Sequence, residues 1–315
     1  MPTANKSQRT MNTITLNNGV KMPQLGLGTY LIDNNDLDRV IGEAFSLGYR
    51  SFDTAWKYHN ERAIAQALKA NGIKREEVFI TTKINIDSLY YRPYVLGKRG
   101  IYKNFRNFKS IKDVIQESFD NLQTDYVDLF LVHYPYKNLL KMYEVLCDFY
   151  ESGRIRAIGV SSFLPPHIEA LKQVSDIVPA VNQFEISPLN TQKQLIEYCK
   201  ARNIAVEAMS TFSHFRSNLP RYELIENDDM RPIAEKYGKS IVQIVLRWLI
   251  QQGIIVIPKT WVSHFLKENI NVFDFSLNDQ EMSFIDSLDT GKFLNYNPYH
   301  MIKYLPRKYR NWKGF

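Results

Sequence analysis

Asp53, Lys57, Tyr58, Lys83 and His133 are the residues whose types and spacing suggest chemistry. The segment RSFDTAWKYHNE, residues 50–61, reads as an apolar strand ending in Asp53, then a short loop with Lys57 and Tyr58, then a helix. Two later apolar runs end in Lys83 (VFITTKI) and His133 (VDLFLVHYP). Hydride addition to a carbonyl leaves negative charge growing on oxygen, which needs a nearby proton and fixed donors. A phenol can give that proton, but its ordinary pKa of about 10 is high for transfer at neutral pH. An ammonium beside the phenol favours the phenolate and is expected to lower that pKa, and a carboxylate keeps the ammonium charged and in place. A neutral imidazole can orient the carbonyl oxygen. On this reading Tyr58 donates the proton, Lys83 tunes it, Asp53 anchors Lys83 and His133 orients the substrate.

Each residue also has a plainer role. Asp53 could cap the turn that follows it, and Tyr58 is one of 19 tyrosines. A lone histidine is more often a satisfied core residue than a catalyst. Lys83 is the hardest to reassign, because a lysine ending an apolar strand loses solvation unless a carboxylate compensates. What joins the set is the architecture implied around it.

Strand-like runs fall near 23–29, 49–55, 78–84, 126–132, 155–161, 179–185, 204–210 and 254–258. Amphipathic stretches such as LDRVIGEAFSLG, ERAIAQALKANG, TQKQLIEYCKARN and KSIVQIVLRWLIQQG lie between them, several ending in Gly or Asn. Fully apolar strands alternating with helices imply a parallel sheet covered on its outer face. Eight units predict an α/β fold, a closed (β/α)8 TIM barrel read as one domain over 1–315. Strand C-terminal ends are where such barrels assemble chemistry, so Asp53, Lys83 and His133 can converge there with Tyr58. Asn-Asn-Gly within TITLNNGVKMP predicts an N-terminal β-hairpin closing the barrel bottom. Residues 87–109, basic and aromatic and without clear period, read as a long loop on the C-terminal face. An extended C-terminal segment, 298–315, follows the last helix pattern.

Composition narrows the function classes. A hydrophobic fraction of 44% and a charged fraction of 23% suit a soluble globular chain. No apolar run approaches the roughly 20 residues of a membrane span, and the polar N-terminus MPTANKSQRT lacks a signal-like apolar core. A cytoplasmic location and no membrane partner are expected. Cys147 and Cys199 read as reduced packing residues. No H-x-H or H-E-x-x-H pair occurs, so no metal is expected, and GLG at 26–28 is too short to be a Rossmann fingerprint. The net charge of +7 is uneven: residues 87–109 carry +5, the tail 298–315 another +5, and the rest −3. A mildly acidic body with two basic segments argues against a specific nucleic-acid binder.

The chain resembles the aldo-keto reductase family. The motifs run in order along nearly its whole length: GLGTY at 26–30, DTAWKYHNE, TTKI, DYVDLFLVHYP, GRIRAIGVSSF, NQFEISP, and IPKT followed by ENINVFDFSL. The resemblance implies a monomeric, NAD(P)H-dependent reductase of aldehydes or ketones, with Tyr58, Lys83, Asp53 and His133 in the roles given above. It implies cofactor contacts from Thr29, Asp53, Ser161, Ser162, Gln183, Met209, Ser210, Lys259, Thr260, Phe265, Glu268 and Asn269. Gln183 and Ser161 would hold the nicotinamide carboxamide, and Lys259 with Thr260 the phosphate end. Three positions depart from the family pattern, all on the cofactor side. Ser162 replaces an Asn, Met209 an aromatic that stacks on nicotinamide, and Phe265 an Arg that meets the 2′-phosphate and adenine. Phenylalanine can stack on adenine but cannot pair with phosphate. NADPH is the expected cofactor, with NADH as the alternative.

A small carbonyl substrate would be lined by Tyr30, Lys57, Tyr58, His133 and Tyr134, with the basic segments favouring an anionic one or simply forming a solvated face. Two other readings remain. A non-catalytic dinucleotide-binding or regulatory protein could use the same barrel. A Schiff-base lyase using Lys83 is disfavoured because an ion-paired ammonium is a poor nucleophile.

Overall fold

A hairpin of β1 (Thr13–Thr15) and β2 (Lys21–Pro23) leads into eight parallel strands. These are β3 (Leu27–Gly28), β4 (Ser51–Asp53), β5 (Phe79–Ile84), β6 (Val127–Val132), β7 (Ile155–Ser161), β8 (Val181–Glu185), β9 (Ala205–Met209) and β10 (Ile255–Val256). The structure, a computed structural model, describes residues 12–85, 110–212, 221–293, 297–312 and 314–315. The basic loop expected at 87–109 lies outside the described residues.

Every expected run contains a strand, and the strands pair with their neighbours in sequence order. The two seam strands are shorter than their runs, at two residues each. The seam closes nonetheless: Leu25 bridges Val256 in parallel, Gly26 N–H donates to the Val256 carbonyl at 2.8 Å, and Val256 N–H donates to Gln24 at 2.9 Å. The fold is the (β/α)8 barrel with an N-terminal hairpin.

The strands are apolar on both sides because each side meets a different core. Outward residues such as Ile80, Phe130, Ile158, Val160, Val206 and Ala208 join the large core under the helices. Inward residues near the strand starts, among them Phe79, Leu129, Leu131, Ala157, Val181 and Ile255, form a second core inside the barrel. Leu16 and Met22 of the hairpin complete that core from below, so the hairpin closes the barrel's N-terminal end. Its turn is tied down by Asn18 Nδ2 donating to Arg156 O at 2.8 Å and Asn17 Nδ2 donating to Pro179 O at 3.1 Å. Gly159 makes the inner packing possible: a Cβ there would lie 2.6 Å from Val181 O and 2.7 Å from a Leu131 methyl.

The helices are α1 (Leu37–Leu47), α2 (Glu61–Ala70), α3 (Ile111–Leu122), α4 (Leu139–Glu151), α5 (Pro165–Leu171) and α6 (Lys193–Lys200). They continue with α7 (Tyr222–Ile225), α8 (Arg231–Tyr237), α9 (Ile241–Gln251), α10 (Ser263–Asn269) and α11 (Asp279–Ser287). Their ends follow the sequence signals. Gly48 stops α1 at φ 109°, returning its N–H to Ala44 and Phe45. Ser240 and Gln243 cap the start of α9 reciprocally. Cys147 and Cys199 are free and buried in α4 and α6. No helix among the described residues is long and apolar enough to cross a membrane.

Beyond α11 the tail makes two 3-10 turns, Pro298–Tyr304 and Arg307–Tyr309. Met301 and Leu305 bury themselves, and Tyr299 stacks on Trp312 with centroids 5.4 Å apart. Lys137, in the loop after β6, lies 5.8 Å above the Tyr304 ring, which brings the tail to the C-terminal rim.

Candidate active site

Inward positions change character along each strand, since alternate residues share a face. β5 runs Phe79, Thr81, Lys83; β8 runs Val181, Gln183, Glu185; β9 runs Ala205, Glu207, Met209. Apolar residues fill the lower barrel and polar ones the upper, so a buried polar layer sits on a dry core. His133, one residue past β6, keeps the inward parity of Leu129 and Leu131. Tyr58 comes from a 3-10 turn, Trp56–Tyr58, placed after β4. His59 at φ 55° turns the chain out of it toward α2.

The four expected residues converge. Lys83 Nζ donates to Asp53 Oδ1 at 2.6 Å and to the Thr54 carbonyl at 2.9 Å, with Lys83 wholly buried. The same Nζ lies 5.1 Å from the centre of the Tyr58 ring. His133 meets Tyr58 edge-on, centroids 5.7 Å apart, and Tyr30 packs on the other side at 4.8 Å. Tyr134 stacks on His133 and is buried, whereas Lys57 is exposed. Asp53 therefore anchors the lysine and does not cap the following turn. Its second oxygen accepts from Gln183 Nε2 at 3.0 Å.

Electrostatics modify one expectation. The Tyr58 phenol is held well above its ordinary pKa, by burial first and by the Asp53 carboxylate second. Burial and the Asp53 carboxylate, which shares the Lys83 ammonium at 2.6 Å, outweigh the lowering expected from Lys83. His133 is held well below its ordinary value by burial and by the charges of Lys83 and Lys57. It is a neutral imidazole, and its Nδ1 is buried with no hydrogen-bond partner. The site thus presents a protonated phenol and a neutral imidazole together.

The expected cofactor residues divide into two groups. Around the tetrad, Ser161 pairs in register with Gln183 across β7 and β8, and Ser162 N–H donates to Gln183 O at 2.8 Å. Met209 and Ser210 are half-buried at the end of β9. Thr29 is buried with its hydroxyl engaged inside the protein, donating to Asp53 O at 2.8 Å and accepting from Asn60 Nδ2 at 3.1 Å. At the outer end, Lys259 lies above the Trp261 ring at 4.8 Å, half-buried, and its Cβ lies 3.5 Å from where a side chain on Gly28 would start. Thr260 and Asn269 are buried, and Phe265 is 49% exposed. Glu268 already accepts from the Ser240 hydroxyl and faces His264 Nε2 at 3.4 Å. Among the described residues no cluster of three or more His, Cys, Asp or Glu is placed to hold a metal ion.

The Aldo/keto reductase family model matches residues 24–290. The chain belongs to that family. Glyoxal reductase of Bacillus subtilis is 36% identical over 304 residues, covering 96% of this chain and all of the relative. Methylglyoxal reductase DkgA of Yersinia pestis is 36% identical over 288 residues, covering 90% of this chain and 95% of that one. Among solved structures, a Bombyx mori aldo-keto reductase in complex with NADP superposes with a TM-score of 0.76 at 30% identity, covering 90% of this chain and 94% of that one.

Two polar groups of this aldo-keto reductase were not singled out from the sequence. Glu207 is wholly buried inside the barrel, and Gln183 Nε2 donates to its Oε2 at 2.6 Å. Burial and the nearby Asp53 push its carboxyl up to about 8. A charged residue within the apolar run AVEAM was the available signal. Arg39 on α1 reaches the outer loop, donating to Trp261 O at 3.0 Å and to Ser263 Oγ at 3.4 Å. Nothing in the sequence ties position 39 to that loop.

Proposed function

We propose that this protein reduces small aldehydes or ketones to alcohols with NADPH, Tyr58 serving as the general acid. The observation that carries the reading is the Tyr58 ring set 5.1 Å from an ion-paired Lys83 and edge-on to a neutral His133. A high-pKa phenol stays protonated at neutral pH, as a donor to a developing alkoxide must. When that proton leaves, the phenolate forms beside Lys83, whose ammonium then stabilises it. His133, uncharged, can donate to the carbonyl oxygen and hold it near the phenol.

The residues present fit a nicotinamide dinucleotide. Ser161 Oγ is fully buried with no hydrogen-bond partner, next to the Gln183 amide. An orphaned hydroxyl beside an amide suits a carboxamide headgroup. Met209 offers a thioether to one face of a flat ring. At the other end Lys259 supplies charge for phosphate, and Phe265 with Trp261 supplies surface for adenine. When bound, NADPH supplies a hydride to the carbonyl carbon. The named relatives act on glyoxal and methylglyoxal, which makes small dicarbonyls the first substrates to try.

The test follows NADPH absorbance with glyoxal, methylglyoxal and a panel of aldehydes, comparing wild type with Tyr58→Phe. Loss of turnover by roughly a thousandfold with dinucleotide affinity retained is expected. Full activity in the variant would remove Tyr58 from the mechanism. Tight dinucleotide binding by wild type with no turnover on any carbonyl would favour a non-catalytic protein.

A further inference from the structure

Gln183 has two amide hydrogens, and both are taken. Its Nε2 donates to Asp53 Oδ2 at 3.0 Å and to Glu207 Oε2 at 2.6 Å, within a side chain 1% exposed. An amide nitrogen has no third hydrogen to offer. The only valence Gln183 retains for a ligand is its carbonyl oxygen. Turning the amide over would set that oxygen against the Asp53 carboxylate, oxygen against oxygen, and would lose the donation to Glu207 Oε2, all in a dry interior.

Asp53 is held for another purpose by Lys83, whereas among the described residues Glu207 makes no ion pair and its carboxyl accepts from Gln183. Glu207 Oε1 is buried without a partner. The charged groups that act on Glu207 are Asp53 from β4 and Lys83 from β5, and Tyr58 feels its charge in turn. A carboxyl kept in such a place at a cost of burial needs a reason, and fixing Gln183 supplies one.

We infer that Glu207 is a positioning residue that, with Asp53, locks the Gln183 amide so that only its carbonyl oxygen faces the ligand, selecting an NH2 donor such as a nicotinamide carboxamide. The inference rests on the nicotinamide reading proposed above and names a determinant within it. Ser161 Oγ, orphaned beside Gln183, remains as the hydroxyl that can donate to the carboxamide oxygen. The pair then reads both ends of that group.

The test uses two oxidised dinucleotides, NADP+ and its 3-acetylpyridine analogue, in which a methyl group replaces the carboxamide NH2. Quenching of tryptophan fluorescence gives Kd for each. Wild type is expected to bind NADP+ about tenfold more tightly than the analogue, the worth of roughly one hydrogen bond. In Glu207→Met the ratio should collapse toward one, mainly by weaker NADP+ binding. Glu207→Gln, which keeps an acceptor oxygen for Gln183, should restore most of it. A wild-type ratio near one overturns the inference without recourse to any variant. So does a Glu207→Met protein that keeps the wild-type ratio or weakens both ligands equally, as a merely structural residue would. If Glu207→Met does not fold, Glu207→Ala is titrated against the same outcomes. Failure of wild type to bind either dinucleotide would overturn the nicotinamide reading itself, and this inference with it.

Discussion

Lys83 and Asp53 meet at 2.6 Å with side chains 0% and 5% exposed, whereas Phe265 is 49% exposed and Lys259 lies over the ring of Trp261. The first pair belongs to the inner end of the rim, built on β4, β5, β8 and β9. The second belongs to the outer end, built on the loop after β10 and on α10. At the inner end Lys83, Asp53, Gln183 and Glu207 are joined in one chain of contacts, and burial moves the protonation of Tyr58, His133 and Glu207 far from their ordinary values. At the outer end Phe265 is exposed and Lys259 half-buried, so charge there is partly screened and a single contact is worth little. The lesson is that the inner end can set chemistry while the outer end can only adjust affinity. Departures from the family pattern at Ser162, Met209 and Phe265 therefore leave Asp53, Tyr58, Lys83 and His133, the groups proposed for proton transfer, unchanged.

The strongest way to break this contrast is Lys83→Met. It leaves Asp53 buried without its ammonium, which should cost about 3–5 kcal/mol of stability and abolish measurable turnover. Urea unfolding of the variant, and of a second protein that adds Asp53→Asn, measures the loss and its partial recovery. A variant as stable as wild type would show that the pair is solvated after all.

A smaller effect should come from Glu207→Gln. The folded carboxyl is raised from 4.5 to about 8, so the unfolded chain releases this proton first as pH rises. Its contribution to stability is complete below the unfolded value and is lost progressively as pH climbs toward 8. Wild type should therefore lose more stability than Glu207→Gln between about pH 5 and about pH 8. Glu61, buried and raised to about 7, contributes the same trend to both proteins and cancels in the comparison. Parallel pH curves would place the Glu207 proton in an ordinary environment.

The smallest effect belongs to the outer end. Phe265→Arg should tighten NADPH relative to NADH by a few-fold, about 0.2–1 kcal/mol, and the gain should fade as salt is raised. The ratio of the two dissociation constants at low and high ionic strength reads it directly. A large, salt-insensitive gain would mean that the outer end is as dry as the inner one.

Much of this was legible in the chain itself. Eight apolar runs each held a strand, Asn17 and Asn18 formed the hairpin turn, and Gly48 ended α1. Asp53, Lys83 and His133 stood out because polar residues at the ends of apolar strands need a purpose, and Tyr58 by its place after the first. Glu207 carried the same signal and passed unremarked, since one acid within a strand does not reveal which partner waits across the sheet. The Tyr58 pKa was misread for a related reason. Burial and a carboxylate that shares the lysine's charge can outweigh the lowering a lysine gives a phenol, and the sequence measures neither the burial nor the distance to Asp53.

Sequence alone thus determined the barrel and the strand ends at which Asp53, Lys83 and His133 gather with Tyr58, because period-2 and period-3.6 patterns are local and strand order follows the chain. Only the tertiary structure decided what each polar group is joined to. Gln183 lies 130 residues from Asp53 and 24 from Glu207, and its two amide hydrogens find Glu207 on the neighbouring strand and Asp53 across the closed barrel. Protonation states depend on those partners and on the exclusion of water, and neither exists until the barrel has closed.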